Sequence, residues 1–202
     1  MNKTVLDIFN YLKTLFGENP QTELNYSSDL ELLVAIILSA QCTDKRVNLT
    51  TKTLFQKYIT LQDYLNLSEH DLRSINFFRN KTRHIRAMAH IVLTVFNGQI
   101  PKTMPELLTL PGVGRKTASV YLAEFHKIPA LAIDTHVARV ARRLGFTTSK
   151  NPHQIERDLA IILPKHDWIN WHTYMVLFGR YHCTARTKTC TWDPETKTIK
   201  IT

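Results

Sequence analysis

Apolar residues recur along the 202-residue chain at steps of three and four, the spacing of one helical face. Val5, Ile8, Phe9, Leu12 and Phe16 form the first such stripe. Ser28-Asp29 offers a cap before residues 30–40, which are apolar nearly all round and predict a helix buried on every side. Thr43-Asp44 opens the next helix, carrying Val47, Leu54, Phe55 and Tyr58. Ser68 with Asp71 three residues on is a variant of the capping box and predicts a short helix to Ile75. Residues 81–96 form a long amphipathic pattern with Ile85, Met88, Ala89 and Val92 on one face, stopped by Asn97-Gly98 and Pro101. Residues 104–110 read as a short helix ended by Pro111-Gly112, and further helices are expected from about Gly114, Asp134, Pro152 and Asp167. No segment sustains a two-residue alternation bounded by hairpin turns. The pattern therefore predicts an all-α fold without repeats or long linkers.

The densest local signal is Leu110-Pro-Gly-Val-Gly-Arg-Lys-Thr-Ala118. Gly112 and Gly114 allow positive φ and close approach of a second backbone. Helical spacing resumes at once in Thr117, Val120, Tyr121 and Phe125. The run admits three readings. It can be a plain turn between two core helices. It can be a nucleotide phosphate loop, although that motif needs Gly-Lys-Ser/Thr directly and a preceding strand, whereas Arg115 intervenes and the preceding segment is helical. Or it can be a helix-hairpin-helix element, whose second helix offers unpaired N–H groups and a positive dipole end to a DNA phosphate.

Charge bears on that choice. Lys plus Arg is 26 against 17 Asp plus Glu, a net charge of +9, which suits a polyanionic partner. The basic residues are spread along the chain, so folding must assemble any DNA-binding surface. The longest apolar run, Leu32 to Leu38, is far below the roughly 20 residues of a membrane span. The N-terminus, with Asp7 inside its apolar stretch, lacks the marks of a secretory signal, and three cysteines do not make a disulfide framework. The chain reads as soluble and intracellular.

With Ala132-Ile-Asp-Thr-His-Val-Ala-Arg-Val140 added, the hairpin run resembles the helix-hairpin-helix DNA glycosylase superfamily, and within it the endonuclease III branch. Leu38-Ser-Ala-Gln-Cys-Thr-Asp44, Phe77-Phe-Arg-Asn-Lys81 and Leu177-Phe-Gly-Arg-Tyr181 fall in the family's order, so the resemblance covers nearly the whole chain. It implies two helical domains flanking a DNA-binding cleft. Residues 24–131 would form a six-helix domain containing the hairpin, and 1–23 would pack with 132–202. It further implies a bifunctional glycosylase and AP lyase that removes oxidised pyrimidines, acting as a monomer on double-stranded DNA with damaged pyrimidines or abasic sites, without membrane attachment, in the bacterial cytoplasm at the nucleoid. Two other readings stay open: a monofunctional mismatch glycosylase on the same fold, and a non-catalytic helix-hairpin-helix DNA-binding protein. The mismatch enzymes typically lack the lysine found here at position 116.

Lys116 occupies the position of the family's catalytic lysine, though in isolation it would read as a solvated or phosphate-contacting lysine. Asp134 matches the catalytic aspartate, and local sequence alone makes it an N-cap; both roles can coexist. Gln41 lies where the family probes the opened duplex, against a plain role capping the preceding helix. Phe77 matches an apolar wedge, against a core position for Phe77 and Phe78 alike. Asn76 departs from the glycine usual before that wedge, and His136 is assigned no catalytic part. Gly112, Val113, Gly114 and Arg115 are the expected DNA contacts of the hairpin.

The C-terminus departs from the family pattern. Relatives usually end in Cys-x6-Cys-x2-Cys-x5-Cys around a [4Fe–4S] cluster. Here Cys183 and Cys190 keep the first spacing, but Asp193 and Ile199 stand at the other two positions. Two thiolates cannot supply four ligands, so no cluster and no metal is expected. A zinc site from His182, Cys183, Cys190 and Asp193 is chemically possible but unlike structural zinc in spacing and donor type. The plainer reading has the cysteines reduced and the tail packed through apolar contacts such as Trp192. Arg186 and Lys188 would still reach DNA phosphate from the loop between the cysteines.

Overall fold

The computed structural model describes residues 3–202; residues 1 and 2 of the expected N-terminal segment lie outside the described residues. The chain divides into two compact units, one of Glu23–Lys127 and one that joins the segment up to Thr22 with Ile128–Thr202. Both units are helical.

In the central unit, α2 (Asp29–Ser39) is the core rod. Leu30 and all of 32–38 are buried, as its unbroken apolar surface predicts. Ser28 caps it by accepting the Glu31 N–H at 3.2 Å. Around it stand α3 (Asp44–Lys57), capped by Thr43, a short α4 (Leu61–Tyr64), α5 (Phe78–Val95), a short α6 (Met104–Leu107) and α7 (Arg115–Glu124). Helix α5 begins three residues before the amphipathic stretch suggests. It ends where Asn97 and Gly98 take positive φ (51° and 78°), with the Gly98 N–H returning to the Val92 carbonyl.

One expected element differs. Ser68 caps only a single 3₁₀ turn, Glu69–Leu72, because Asp71 is committed elsewhere. Its Oδ2 accepts from Lys57 Nζ and from the Tyr58 hydroxyl, both at 2.7 Å, and these bonds lower its pKa. A capping box does form nearby, where Thr60 Oγ1 accepts the Asp63 N–H and Asp63 Oδ2 accepts the Thr60 N–H.

In the other unit, α1 (Lys3–Phe16), α8 (Thr135–Arg143), α9 (Pro152–Ile162) and α10 (Trp168–Tyr181) enclose a second core. Ile8, Leu12, Trp171, Tyr174, Met175 and Phe178 are fully buried in it. Phe9 packs on the Trp171 and Tyr174 rings at 5.2 and 5.5 Å, and the Tyr174 hydroxyl donates to the Gly17 carbonyl at 2.6 Å. The chain ends in an antiparallel hairpin, β1 (Cys190–Asp193) with β2 (Thr198–Ile201), in the register Cys190 to Ile201. Four residues per strand are too few to show alternation, so this hairpin was invisible as a pattern. As expected, Trp192 packs the tail on the core, edge-on to Tyr11 at 6.2 Å. Among the described residues, no helix is long and apolar enough to cross a membrane.

Candidate active site

The hairpin is helix, glycine turn, helix. Gly112 has φ +81°, and a Cβ there would lie 2.9 Å from the His84 Cβ on α5, so both conformation and space demand glycine. Gly112→Ala is therefore expected to destabilise the fold by about 1–3 kcal/mol, read as a lower thermal midpoint. Gly114 differs from the expectation. Its φ is −90°, and nothing lies within 4 Å of an added Cβ, so neither strain nor crowding requires it. As N-cap of α7 it instead brings no side chain to bond the first turn, the kind of helix start that can receive an anion. Val113 is buried and its N–H is given to the Leu110 carbonyl at 3.1 Å, so neither its side chain nor its N–H is the DNA contact expected of it. Arg115 and Lys116 are the first two residues of α7, and both are exposed.

Gln41 and the residue before Phe77 are joined by one hydrogen bond from the Asn76 side chain. Gln41 and Phe77 are both exposed residues in left-handed conformation, with φ 54° and 58°. Such non-glycine geometry costs about 1–3 kcal/mol and persists only where neighbours enforce it. Asn76 Nδ2 donates to the Gln41 carbonyl at 2.6 Å, and Arg46 donates to Asn76 Oδ1 at 3.4 Å. Of the two rings considered for the wedge, Phe77 is 60% exposed while Phe78 is half-buried.

Asp134 caps α8, its Oδ1 accepting the Val137 N–H at 2.8 Å. The cap uses one carboxylate oxygen and fixes the direction of the other. Helix α8 is held against α10 at close range: a Cβ on Gly179 would meet the His136 Cβ at 2.9 Å. Arg139 locks the same junction, donating to the carbonyls of Gly179 (2.6 Å) and Cys183 (2.8 Å) and contacting His136 Nδ1. Since a guanidinium only donates, that ring nitrogen accepts. Arg139 stood inside a quoted motif, but its structural duty depends on contacts about 40 residues away, which no local pattern shows.

Lys116 belongs to the central unit and Asp134 to the other. Arg186 and Lys188 are exposed on the loop from Cys183 to Cys190. That loop is tied to α8 by Arg143, which donates to the carbonyls of Thr184 and Thr187. The Lys188 N–H bonds the Thr202 carbonyl at 2.7 Å.

The residues at the family's cluster positions do not fit an iron–sulfur cluster. Cys183 and Cys190 are paired as a disulfide, which corrects the expectation of reduced thiols. Their Cα atoms lie 6.2 Å apart across the closed loop, within bonding reach. The Arg143 guanidinium donates to both sulfurs, at 3.2 Å to Cys183 and 3.8 Å to Cys190. Asp193 is held by Lys200 (2.7 Å), Thr196 (2.8 Å) and the Glu195 N–H, which bring its pKa to about 2. Ile199 is buried in the core. Among the described residues, no group of three or more His, Cys, Asp or Glu side chains could hold a metal ion.

Residues 34–165 match the family described as HhH-GPD superfamily base excision DNA repair protein. The chain is 43% identical over 179 residues to endonuclease III of Bacillus subtilis (strain 168), covering 86% of this chain and 82% of that protein. A solved structure of a trapped covalent intermediate between endonuclease III and DNA is 41% identical, with TM-score 0.87, over 92% of this chain and 89% of that one. A thermostable thymine-DNA glycosylase shares the fold at TM-score 0.82 and 19% identity, covering 93% and 91% of the two chains. Hairpin, capped aspartate and overall likeness agree, and the chain belongs to the HhH-GPD superfamily of base excision DNA repair proteins.

Proposed function

We infer that the chain is a bifunctional DNA glycosylase and AP lyase of base excision repair, and we propose oxidised pyrimidines as its substrates. The observation that carries the reading is Lys116, an exposed amine at the second position of α7, directly beyond a glycine hairpin whose N-cap residue brings no side-chain bond to the helix start. The likeness to endonuclease III over most of both chains supports it.

The damaged nucleotide leaves the stack, because its anomeric carbon cannot be reached inside a duplex. Attack needs the amine free of its proton, and a carboxylate can take that proton. Asp134 is suited to this, its direction fixed by the cap. The Lys116 amine attacks C1′, the C1′–N bond breaks, and the base departs with its electron pair and takes up a proton. Asp134 stabilises the positive charge that develops on the sugar. Ring opening gives an iminium between Lys116 and C1′. The iminium acidifies the C2′ proton, and its loss expels the 3′ phosphate by β-elimination. Hydrolysis then frees the lysine. Gln41 would fill the space left by the everted base and Phe77 would wedge the stack. Gly112, Gly114, Arg115, Arg186 and Lys188 would hold phosphates, the glycines through backbone N–H groups, while Val113, whose N–H is given to the Leu110 carbonyl, would shape the turn between them.

A duplex containing thymine glycol tests the reading: free base and a β-elimination product are expected together. Base release without strand cleavage would favour a monofunctional glycosylase, and binding without either a non-catalytic DNA-binding protein. The reading also includes no iron–sulfur cluster, since neither the committed sulfurs nor Asp193 and Ile199 suit one. Freshly purified protein should lack absorbance near 400 nm, and iron analysis should give well under one iron per chain; stoichiometric iron and sulfide would contradict this.

A further inference from the structure

We propose that Asn76, assisted by Lys81, is a positioning residue that staples the Gln41 turn to the Phe77 turn, so that duplex opening is carried out by one rigid two-pronged element. The proposal rests on the DNA-repair reading above and deepens it. Three carbonyls at the exit of α2 accept donors from the segment around Phe77. Lys81 Nζ donates to Leu38 at 2.7 Å and to Ala40 at 2.6 Å, and Asn76 Nδ2 donates to Gln41 at 2.6 Å. Asn76 and Lys81 thus bracket Phe77 in sequence while gripping the residues that lead into and include Gln41.

The grip has a physical rationale at each end. Lys81 is buried, with only 6% of its surface exposed, and burial lowers its pKa. Its ammonium lies at the C-terminal end of α2, where the helix dipole favours a cation. Asn76 is exposed, and its amide spans the two turns and receives Arg46 on its oxygen. Gln41 and Phe77 both hold strained left-handed backbones and both point into solvent, so the bonds across the turns must fix their spacing. Pre-setting two prongs before DNA arrives removes an ordering cost from the step that opens the duplex. The staple touches no reacting atom, so it should act on eversion and leave the lysine chemistry alone.

Asn76→Asp is nearly isosteric and can keep the Arg46 contact, but it replaces the donor to Gln41 with an oxygen that repels the carbonyl. Asn76→Ala removes the bridge altogether. Single-turnover base release by the full-length chain is measured on thymine glycol paired in a duplex and on the same lesion in an unpaired bulge, where no opposite base must be replaced. Both variants should be slower about three- to tenfold on the paired lesion, the weight of one hydrogen bond, and less than twofold on the bulge. Unchanged rates on the paired lesion, or equal losses on both substrates, would overturn the staple. A wild-type chain inactive on both substrates, with no borohydride-trapped adduct on abasic DNA, would instead overturn the repair reading on which the staple depends.

Discussion

Lys116→Ala should abolish borohydride trapping and lower both base release and strand cleavage by at least about a thousandfold, the scale on which covalent enzymes respond to loss of their nucleophile. The two activities should fall together, because a single amine displaces the base and then carries the iminium that makes elimination possible. The fold should be untouched. Lys116 is exposed in the first turn of α7, and surface substitutions of this kind cost within about 0.5 kcal/mol. The sign leans toward stabilisation, since alanine is the better helix former and a cation at a helix N-terminus opposes the dipole. Single-turnover assays paired with thermal melts check both halves. Base release that survives in the variant would mean that water, not the lysine, attacks the sugar.

Asp134→Asn should slow the reaction by about 10²–10⁴-fold at an unchanged melting temperature. The choice of asparagine separates the two duties of this residue. Asparagine caps a helix as well as aspartate does, so the bond to the Val137 N–H survives and α8 keeps its start. An amide oxygen cannot take the lysine's proton or oppose the charge of a departing base. Asp134→Ala should lose the same activity and, in addition, about 1 kcal/mol of stability as the cap disappears. If asparagine retained wild-type rates, the residue would be a cap and nothing more.

Much of this was readable in the chain, for reasons that differ from element to element. The all-round apolar run at 30–40 could only be a core helix. Gly114, Asp134 and Thr43 stand where helices begin because their chemistry suits an open or capped first turn. What escaped depends on partners distant in sequence. Ser68 and Asp71 have capping-box spacing, but Tyr58 and Lys57 claim the carboxylate, and Thr60 with Asp63 closes the box instead. The terminal hairpin is too short for a period to appear. The disulfide closes a loop of only seven residues and has no period to betray it, and the arginine from α8 that lies on both its sulfurs comes from 40 and 47 residues away. At the site, Lys116, Asp134, Gln41 and Phe77 were marked by motif. The bond from Asn76 that ties two of them spans 35 residues and left no local trace. Gly114 was given the wrong reason, for its value lies in the missing side chain rather than in positive φ.

The most direct measurement is mass spectrometry of the adduct formed when the chain is mixed with abasic-site DNA and reduced with borohydride. The reduced sugar should be found on the peptide carrying Lys116 and on no other. No adduct at all, or an adduct on a different amine, would contradict the assignment of Lys116 as the nucleophile.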